Sequence, residues 1–133
     1  MDMDLQEAMK QSVRTPFPQS ELKDMLYQIL SATQHIHEKW YLHRDLKTSN
    51  ILVQKMTGKV ALCDFGLSRK YQMPLKAMTQ MVITLWYRPP ELLFGETVYG
   101  PEVDMWRYVY YYYYYYFNYR SYILHLLIVV KML

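Results

Sequence analysis

The chain has little cysteine and no surplus of positive charge in its organised part. Its one cysteine, Cys63, cannot form an internal disulfide, which suits a reducing compartment, and we expect it to be a small buried hydrophobe. Up to Trp106 there are 12 Lys+Arg and 12 Asp+Glu, so the net charge of +3 comes from Arg107, Arg120 and Lys131. A basic face suited to nucleic acid is therefore not expected.

Apolar segments of the kind that direct a chain into a membrane are also scarce. Residues 1–4 are acidic and no apolar h-region follows them, so we expect no signal peptide. The aliphatic stretch 122–133 is too short to span a bilayer, and Asn118, Arg120 and Lys131 interrupt any longer span. A membrane segment is therefore the least favoured interpretation of this stretch.

What the sequence does contain is typical of one globular domain or of a large piece of one. The length of 133 residues fits that size range. The hydrophobic content of 52% and the charged content of 20% separate the chain from disordered proteins.

Two helices are predicted before residue 40. A short one is predicted over residues 4–9 and is ended by the prolines that follow. A longer one is predicted to begin with Ser20 as N-cap, and its apolar stripe recurs at three- and four-residue steps, so we expect it to pack in the core. The stripe consists of Leu22, Met25, Leu26, Ile29, Leu30 and Ile36. His35 and His37 would project from different faces of this helix, so packed or solvent-facing histidines are expected rather than a metal pair.

Two short apolar runs, 51–53 and 60–63, predict a β-hairpin. Gly58 lies between them and can adopt the positive φ that such a turn requires. The hairpin would place Asn50 at the start of one strand and Asp64 just beyond the end of the other. Two polar residues distant in sequence would thereby be brought together.

The segment after the hairpin predicts a long loop over residues 67–88, because its periodicity is weak. Long ordered loops in compact domains are usually functional. A pair of prolines closes the loop. A short helix is predicted over 91–94, ended by Gly95, and residues 103–106 are predicted to open a longer helix.

Residues 43–50 read H-R-D-x-x-x-x-N, and D-F-G follows at residues 64–66. Phosphoryl transfer from ATP needs a base for the acceptor hydroxyl and oxygen ligands for magnesium. In the protein-kinase template the base is the Asp of H-R-D, here Asp45. The magnesium ligands of that template are here Asn50 and Asp64.

Residues 1–106 resemble the C-terminal lobe of a eukaryotic protein kinase. The resemblance is strongest to the cyclin-dependent kinase family and, within it, to the PITSLRE-type members. Several motifs in the family's order and spacing carry the resemblance. They are residues 16–18, 43–50, 64–69, 74–76, 84–88, 89–91 and 104–106. The resemblance implies an α+β, mainly α, protein kinase-like fold. It also implies that His43 stacks on Phe65 and that Asp104 tethers the catalytic loop.

The resemblance implies ATP and Mg²⁺ as cofactors and assigns further site residues. Asp45 would accept or orient the proton of the substrate hydroxyl, and Lys47 would neutralise charge on the transferring phosphoryl group, as in Ser/Thr kinases. Thr84 would hydrogen-bond to both of these catalytic residues. Leu52 would form part of the floor under the adenine, beside the magnesium ligands.

The loop carries an expected regulatory site. Thr79 matches the activating phosphothreonine of the family, and Arg44 and Arg69 are expected to pair with its phosphate. The alternative for Thr79 is a solvated loop hydroxyl.

The resemblance also implies the substrates and partners. Val82, Ile83 and Arg88 match the region that gives the family a preference for proline after the target residue, so a protein substrate with a Ser/Thr-Pro site is expected. A cyclin is the expected partner of a longer parent chain. Location in the nucleus or cytoplasm is a family expectation.

Two departures from the family limit what the chain is expected to do. The sequence holds four glycines but no G-x-G-x-x-G, and no lysine in a V-A-I-K-like strand. We therefore predict an incomplete C-terminal lobe without the N-terminal lobe. The helix that grips the cyclin and the distant arginine partner of Glu91 are missing as well. Because positioning and electrostatics are most of what a kinase contributes, we predict that the chain alone is inactive or nearly so.

The kinase-like pattern is predicted to end at Trp106, which divides the chain into 1–106 and a tail, 107–133. Ten of the 15 tyrosines fall in the tail, seven of them consecutive. The tail is interpreted as low-complexity sequence from a truncated or misread gene product. The alternatives are an apolar segment that replaces lost helical partners and a membrane segment.

Three interpretations of the whole chain are possible. The first is an incomplete catalytic domain of a cyclin-dependent Ser/Thr kinase. The second is a non-catalytic lobe fragment that binds kinase substrates or partners. The presence of Asp45, Lys47, Asn50 and Asp64 argues against it, since binding alone does not require them. The third is a gene-model artefact, which is compatible with either.

Overall fold

A computed structural model describes residues 1–12, 17–79, 88–106 and 108. The helices are α1 (Leu5–Gln11), α2 (Gln19–Glu38) and α3 (Pro90–Leu93), and residues 102–106 are helical as well. The strands are β1 (Met3–Asp4), β2 (Tyr41–Leu42), β3 (Ile51–Gln54), β4 (Lys59–Leu62) and β5 (Arg69–Lys70). Thr48–Asn50 form a 3-10 turn. This mixture of helix and sheet agrees with the predicted α+β class.

The predicted hairpin is confirmed as β3 and β4, which form an antiparallel sheet with β1 in the order β1-β3-β4. Ile51 lies opposite Leu62 and Gln54 lies opposite Lys59. Gly58 in the connecting turn has a φ of +65°. Glycine adopts this left-handed conformation without the steric cost that a Cβ brings.

A second, two-stranded sheet pairs β2 with β5, with Tyr41 opposite Lys70 and Leu42 opposite Arg69. The prediction of an uninterrupted loop over 67–88 is therefore wrong at residues 69–70. A strand of two residues is too short to leave an alternating pattern in the sequence. Residues 80–87 of the predicted loop lie outside the described residues.

The two helices predicted before residue 40 are both present, but the start of the longer one differs. Pro18 is the N-cap residue of α2, and Ser20 lies inside the first turn, so the predicted N-cap is wrong. Leu22 N donates to Pro18 O at 3.1 Å and closes that turn. Pro18 has a φ of −56° and a ψ of 148°, so it is extended, as N-cap residues usually are, and no side chain caps the helix.

The described residues form two buried apolar clusters that flank the segment 43–45. The first cluster consists of Leu42, Met78, Leu92, Tyr99 and Val103, with Tyr71 packed against it. The second consists of Ile29, Leu46, Ile51 and Tyr108, with Leu26 and Leu30 among the residues packed against it. Because Leu42 and Leu46 belong to different clusters, the segment between them is anchored at both ends. The predicted core stripe of α2 is confirmed at Ile29 and Met25, which are buried.

The tail is described only at Tyr108. This side chain is buried in the second cluster, and its hydroxyl contacts Oγ1 of Thr33 and the backbone oxygen of Ile29. Residues 109–133, to which the interpretations of the tail chiefly apply, lie outside the described residues. Within the described part, no helix combines the length and the apolar character needed to cross a membrane.

Gln28 ties α2 to the hairpin. Its Nε2 donates to Gly58 O and its Oε1 accepts from Val60 N, both at 2.9 Å. Because Gln28→Ala leaves two part-buried backbone groups without these partners, we expect it to lower the free energy of unfolding by about 1–3 kcal/mol in urea titrations. The control is Gln34→Ala, which removes a bond to the exposed Glu38 and should cost less than about 0.5 kcal/mol. Equal losses in the two variants would contradict the role of Gln28.

Candidate active site

Asp104 fixes the backbone of the predicted catalytic loop. Arg44 has a φ of +63°, which is uncommon for a residue with a side chain. This conformation costs about 1–3 kcal/mol, which the surrounding contacts must offset. Asp104 Oδ1 accepts from Arg44 N and its Oδ2 accepts from His43 N, both at 2.8 Å. The carboxylate is 1% exposed. The tether that the resemblance implied is thus present as two hydrogen bonds.

His37 is a partner of Asp104 that the sequence did not reveal. Its Nε2 lies 2.8 Å from Asp104 Oδ2. The two residues are 67 positions apart, and no local pattern links them. His35 is exposed instead. Among the described residues, no group of three or more His, Cys, Asp and Glu side chains could hold a metal ion.

Asp45, Lys47 and Asn50, all predicted site residues, form one hydrogen-bonded cluster. Asp45 Oδ2 lies 2.8 Å from Lys47 Nζ and accepts from Asn50 Nδ2 at 3.0 Å. The same Nδ2 also donates to the backbone oxygen of Asp45 at 2.8 Å. Asp45 and Asn50 are buried, whereas Lys47 is partly exposed. The candidate base is therefore held by two donors on one of its oxygens.

The imidazole of His43 connects the catalytic loop to the D-F-G segment. Asp45 N donates to His43 Nδ1 at 3.3 Å, so Nδ1 carries the lone pair and the ring proton sits on Nε2. Nε2–H can then donate to Cys63 O, 3.1 Å away. The ring also packs on Phe65, with centroids 4.8 Å apart and planes at 50°. The predicted contact between these two rings is therefore present.

The hairpin brings the two predicted magnesium ligands to neighbouring backbone positions. Cys63 N donates to Asn50 O at 2.9 Å, and Asp64 is the next residue. Asp64 is exposed and has a φ of +59°. Its Oδ1 accepts from Gly66 N at 3.3 Å, and a Cβ on Gly66 would lie 3.2 Å from that oxygen.

The oxygen donors of Asn50 and Asp64 are of the kind that Mg²⁺ accepts when it also binds phosphate. Because Asn50 Nδ2 donates to Asp45, the amide oxygen of Asn50 is the atom left for a metal. An amide oxygen and a carboxylate are ligands that Mg²⁺ accepts, and it usually completes its shell with water and substrate phosphates. Leu52, the predicted residue under the adenine, is half-buried on β3 opposite Ala61.

Two further side chains near the site have shifted pKa values. Burial raises the pKa of the Cys63 thiol, and the negative charges of Asp64 and Asp4 raise it further. The thiolate is therefore disfavoured. The expectation of a buried residue is wrong in degree, because Cys63 is half-buried. Burial raises the pKa of Tyr71, and the negative charges of Glu102 and Asp104 raise it further. The Tyr71 hydroxyl donates to His37 O.

The predicted phosphate-binding residues differ in their surroundings. Thr79 and Arg69 are exposed, whereas Arg44 is buried. Arg44 Nε donates to Leu67 O at 2.8 Å and its Nη1 donates to the hydroxyl of Tyr99 at 3.0 Å. The pairing of the two arginines with a phosphate at residue 79 stays a prediction.

Three of the predicted site residues lie outside the described residues, and one residue that contacts the site, Tyr99, was not predicted. Thr84, Val82 and Ile83 lie outside the described residues, while Arg88 is described and half-buried. Tyr99 was not singled out in the sequence, because its contacts are with residues 20 and 55 positions away.

The buried H-R-D loop, its carboxylate tether and the adjacent D-F-G segment define the class of protein. The family model described as Protein kinase domain matches residues 1–122. The chain therefore belongs to the protein kinase family. The match extends past Trp106, and the predicted boundary at that residue stays a prediction.

Similar proteins narrow the class to the cyclin-dependent kinases. Cyclin-dependent kinase G-2 of Oryza sativa subsp. indica is 49% identical over 106 residues, which are 80% of this chain and 15% of the relative. Cyclin-dependent kinase 11B of Mus musculus is 52% identical over 102 residues, 77% of this chain and 12% of the relative. Serine/threonine-protein kinase ppk23 of Schizosaccharomyces pombe is 53% identical over 90 residues, which are 68% of this chain and 22% of the relative. The predicted family is confirmed, and the chain spans between 12 and 22% of the length of these relatives.

Proposed function

We propose that residues 1–106 carry the base and the magnesium ligands of a cyclin-dependent, proline-directed Ser/Thr kinase. The observation that supports this most directly is the cluster of Asp45, Lys47 and Asn50. A buried carboxylate is held there by a lysine and an amide, in a loop whose backbone is fixed by Asp104. A binding surface would not require this arrangement of groups.

Asp45 is the base in the proposed reaction. It accepts the proton of a Ser or Thr hydroxyl while that oxygen attacks the γ-phosphorus of ATP. The bond from phosphorus to the β–γ bridging oxygen breaks, and ADP leaves. Lys47 Nζ, 2.8 Å from Asp45, is placed to offset the negative charge of the phosphoryl group as it is transferred. Thr84 is proposed to orient both residues.

Asn50 and Asp64 are the proposed magnesium ligands, and Leu52 is the proposed contact of the adenine. Bound magnesium would neutralise charge on the ATP phosphates. What the chain itself contributes is a fixed amide oxygen on Asn50 and an exposed carboxylate on Asp64.

The proposed phosphorylation site rests on the loop that carries Thr79, and the proposed cyclin partner rests on the names of the relatives. The guanidinium of Arg44 is connected to the backbone oxygen of Thr79 by two hydrogen bonds through Tyr99, so Arg44 is the first proposed partner of a phosphate on Thr79. Arg69 is the second proposed partner. Val82, Ile83 and Arg88 are the proposed contacts for proline after the target residue. A cyclin is the proposed partner of a longer protein, as in the relatives named cyclin-dependent kinases.

The activity is tested by completing the site. A chimera in which residues 1–106 replace the matching segment of the Mus musculus Cyclin-dependent kinase 11B, purified with cyclin, is expected to phosphorylate a Ser-Pro peptide. A peptide with Ser-Ala in the same place should react at least about tenfold more slowly. The 133-residue chain alone is expected to be slower than the chimera by about 10³-fold or more. The reason is that the Gly-rich loop and lysine that position ATP are not among its residues.

Two results would contradict the proposal. A folded chimera that binds the peptide but transfers no phosphate would favour the non-catalytic, binding interpretation. Rapid turnover by the 133-residue chain itself would show that the incomplete-lobe interpretation is wrong. The matched control is the unaltered kinase, assayed with the same two peptides.

A further inference from the structure

Hydrogen bonds link Arg44 to Leu67 directly and to Thr79 through Tyr99. Its Nε donates to Leu67 O at 2.8 Å, near the start of the loop. Its Nη1 donates to the hydroxyl of Tyr99 at 3.0 Å, and that hydroxyl donates in turn to Thr79 O at 2.7 Å. One buried guanidinium therefore contacts residue 67 directly and residue 79 through Tyr99.

The core, rather than the loop alone, sets the position of the Tyr99 hydroxyl. The side chain is 1% exposed and belongs to the cluster that includes Leu42 and Val103. Met78, the residue before Thr79, packs in the same cluster, and its N–H donates to Thr97 O at 2.7 Å. A tyrosine hydroxyl can accept one hydrogen bond and donate another, which is the pattern here.

We propose that Tyr99 is a positioning residue that couples the Thr79 loop to the catalytic loop through Arg44. The backbone N–H of Arg44 is bound by Asp104, and Asp45 is the next residue. A displacement at Thr79 is therefore transmitted to the neighbour of the base through two hydrogen bonds. The inference rests on the proposed function, because it assigns the route by which a phosphate at Thr79 acts on Asp45.

The test is Tyr99→Phe in the 133-residue chain, which removes the hydroxyl and keeps the ring. NMR on chain labelled with ¹⁵N would measure solvent exchange of the Arg44 Nε–H and of the Met78 amide. Both are expected to exchange about five- to tenfold faster, because two hydrogen bonds are lost. The amide of Val53 in the hairpin is expected to stay within about twofold of its original rate.

The matched control is Tyr71→Phe. Tyr71 packs against the same cluster, but its hydroxyl donates to His37 O at 3.3 Å. Exchange at Arg44 and Met78 should then change by less than about twofold. Equal acceleration in both variants, or none in Tyr99→Phe, would overturn the proposal. The exchange measurement does not depend on phosphate transfer. A chimera that fails to transfer phosphate would therefore contradict the proposed function without deciding whether Tyr99 couples the two loops.

The unaltered chain supplies a second measurement that does not depend on the folding of a variant. In a series of low urea concentrations, the protection of the Arg44 Nε–H and of the Met78 amide should fall together, staying within about threefold of each other. Loss of protection in two separate steps would show that the two groups open independently, and the coupling would be refuted.

Discussion

Asp45→Asn in the chimera is expected to lower kcat by about 10²- to 10⁴-fold, which is the usual contribution of a general base. The substitution keeps the shape of the side chain and removes its basicity. Both groups that face Asp45 Oδ2, Lys47 Nζ and Asn50 Nδ2, are donors, at 2.8 and 3.0 Å. An asparagine carbonyl oxygen can take the same place, so the local geometry is expected to survive while proton transfer is lost.

Initial rates with the Ser-Pro peptide measure this effect, and KM for the peptide is expected to change little. The control is Asp24→Asn on the exposed side of α2, which should leave kcat within about twofold. An Asp45→Asn chimera that retains more than about a tenth of the original kcat would contradict the assignment of Asp45 as the base.

The parts of the molecule that could be predicted from sequence are those whose determinants are close together in the chain. The hairpin over β3 and β4 is one, since two apolar runs and Gly58 fix its register within twelve residues. The cluster of Asp45, Lys47 and Asn50 is another, because a short loop brings its members together. The helix α2 was predicted by its periodicity, but its N-cap was not, because Pro18 has no side-chain hydrogen-bonding group that would mark it as a cap, whereas Ser20 has one.

The parts that could not be predicted depend on contacts between distant segments. His37 meets Asp104 and Tyr99 bridges Arg44 to Thr79, across separations of 20 to 67 residues. A single histidine or tyrosine looks the same in the sequence whether it is exposed or buried against a distant partner. The strand β5 was missed for a related reason, because its two residues are ordered by pairing with β2 rather than by a pattern of their own.

Asp104→Asn is expected to lower the free energy of unfolding of the 133-residue chain by about 3–5 kcal/mol, the usual cost of removing one partner from a buried charged network. The carboxylate accepts from the backbone N–H groups of His43 and Arg44 and lies 2.8 Å from His37 Nε2. An asparagine offers one oxygen, so its NH₂ group must face a donor in a site that is 1% exposed. The left-handed backbone of Arg44 would also lose the contact that holds it.

Urea denaturation measures this loss as a lower midpoint at an unchanged m-value. His37→Gln is the informative comparison, because it removes one partner of Asp104 and keeps both backbone bonds. It should cost about 1–3 kcal/mol, clearly less than Asp104→Asn. The surface control Asp24→Asn should stay within about 0.5 kcal/mol. If Asp104→Asn costs no more than His37→Gln, the two backbone bonds do not hold the catalytic loop. The conformation of the segment 43–45 would then have to come from the two apolar clusters that anchor its ends.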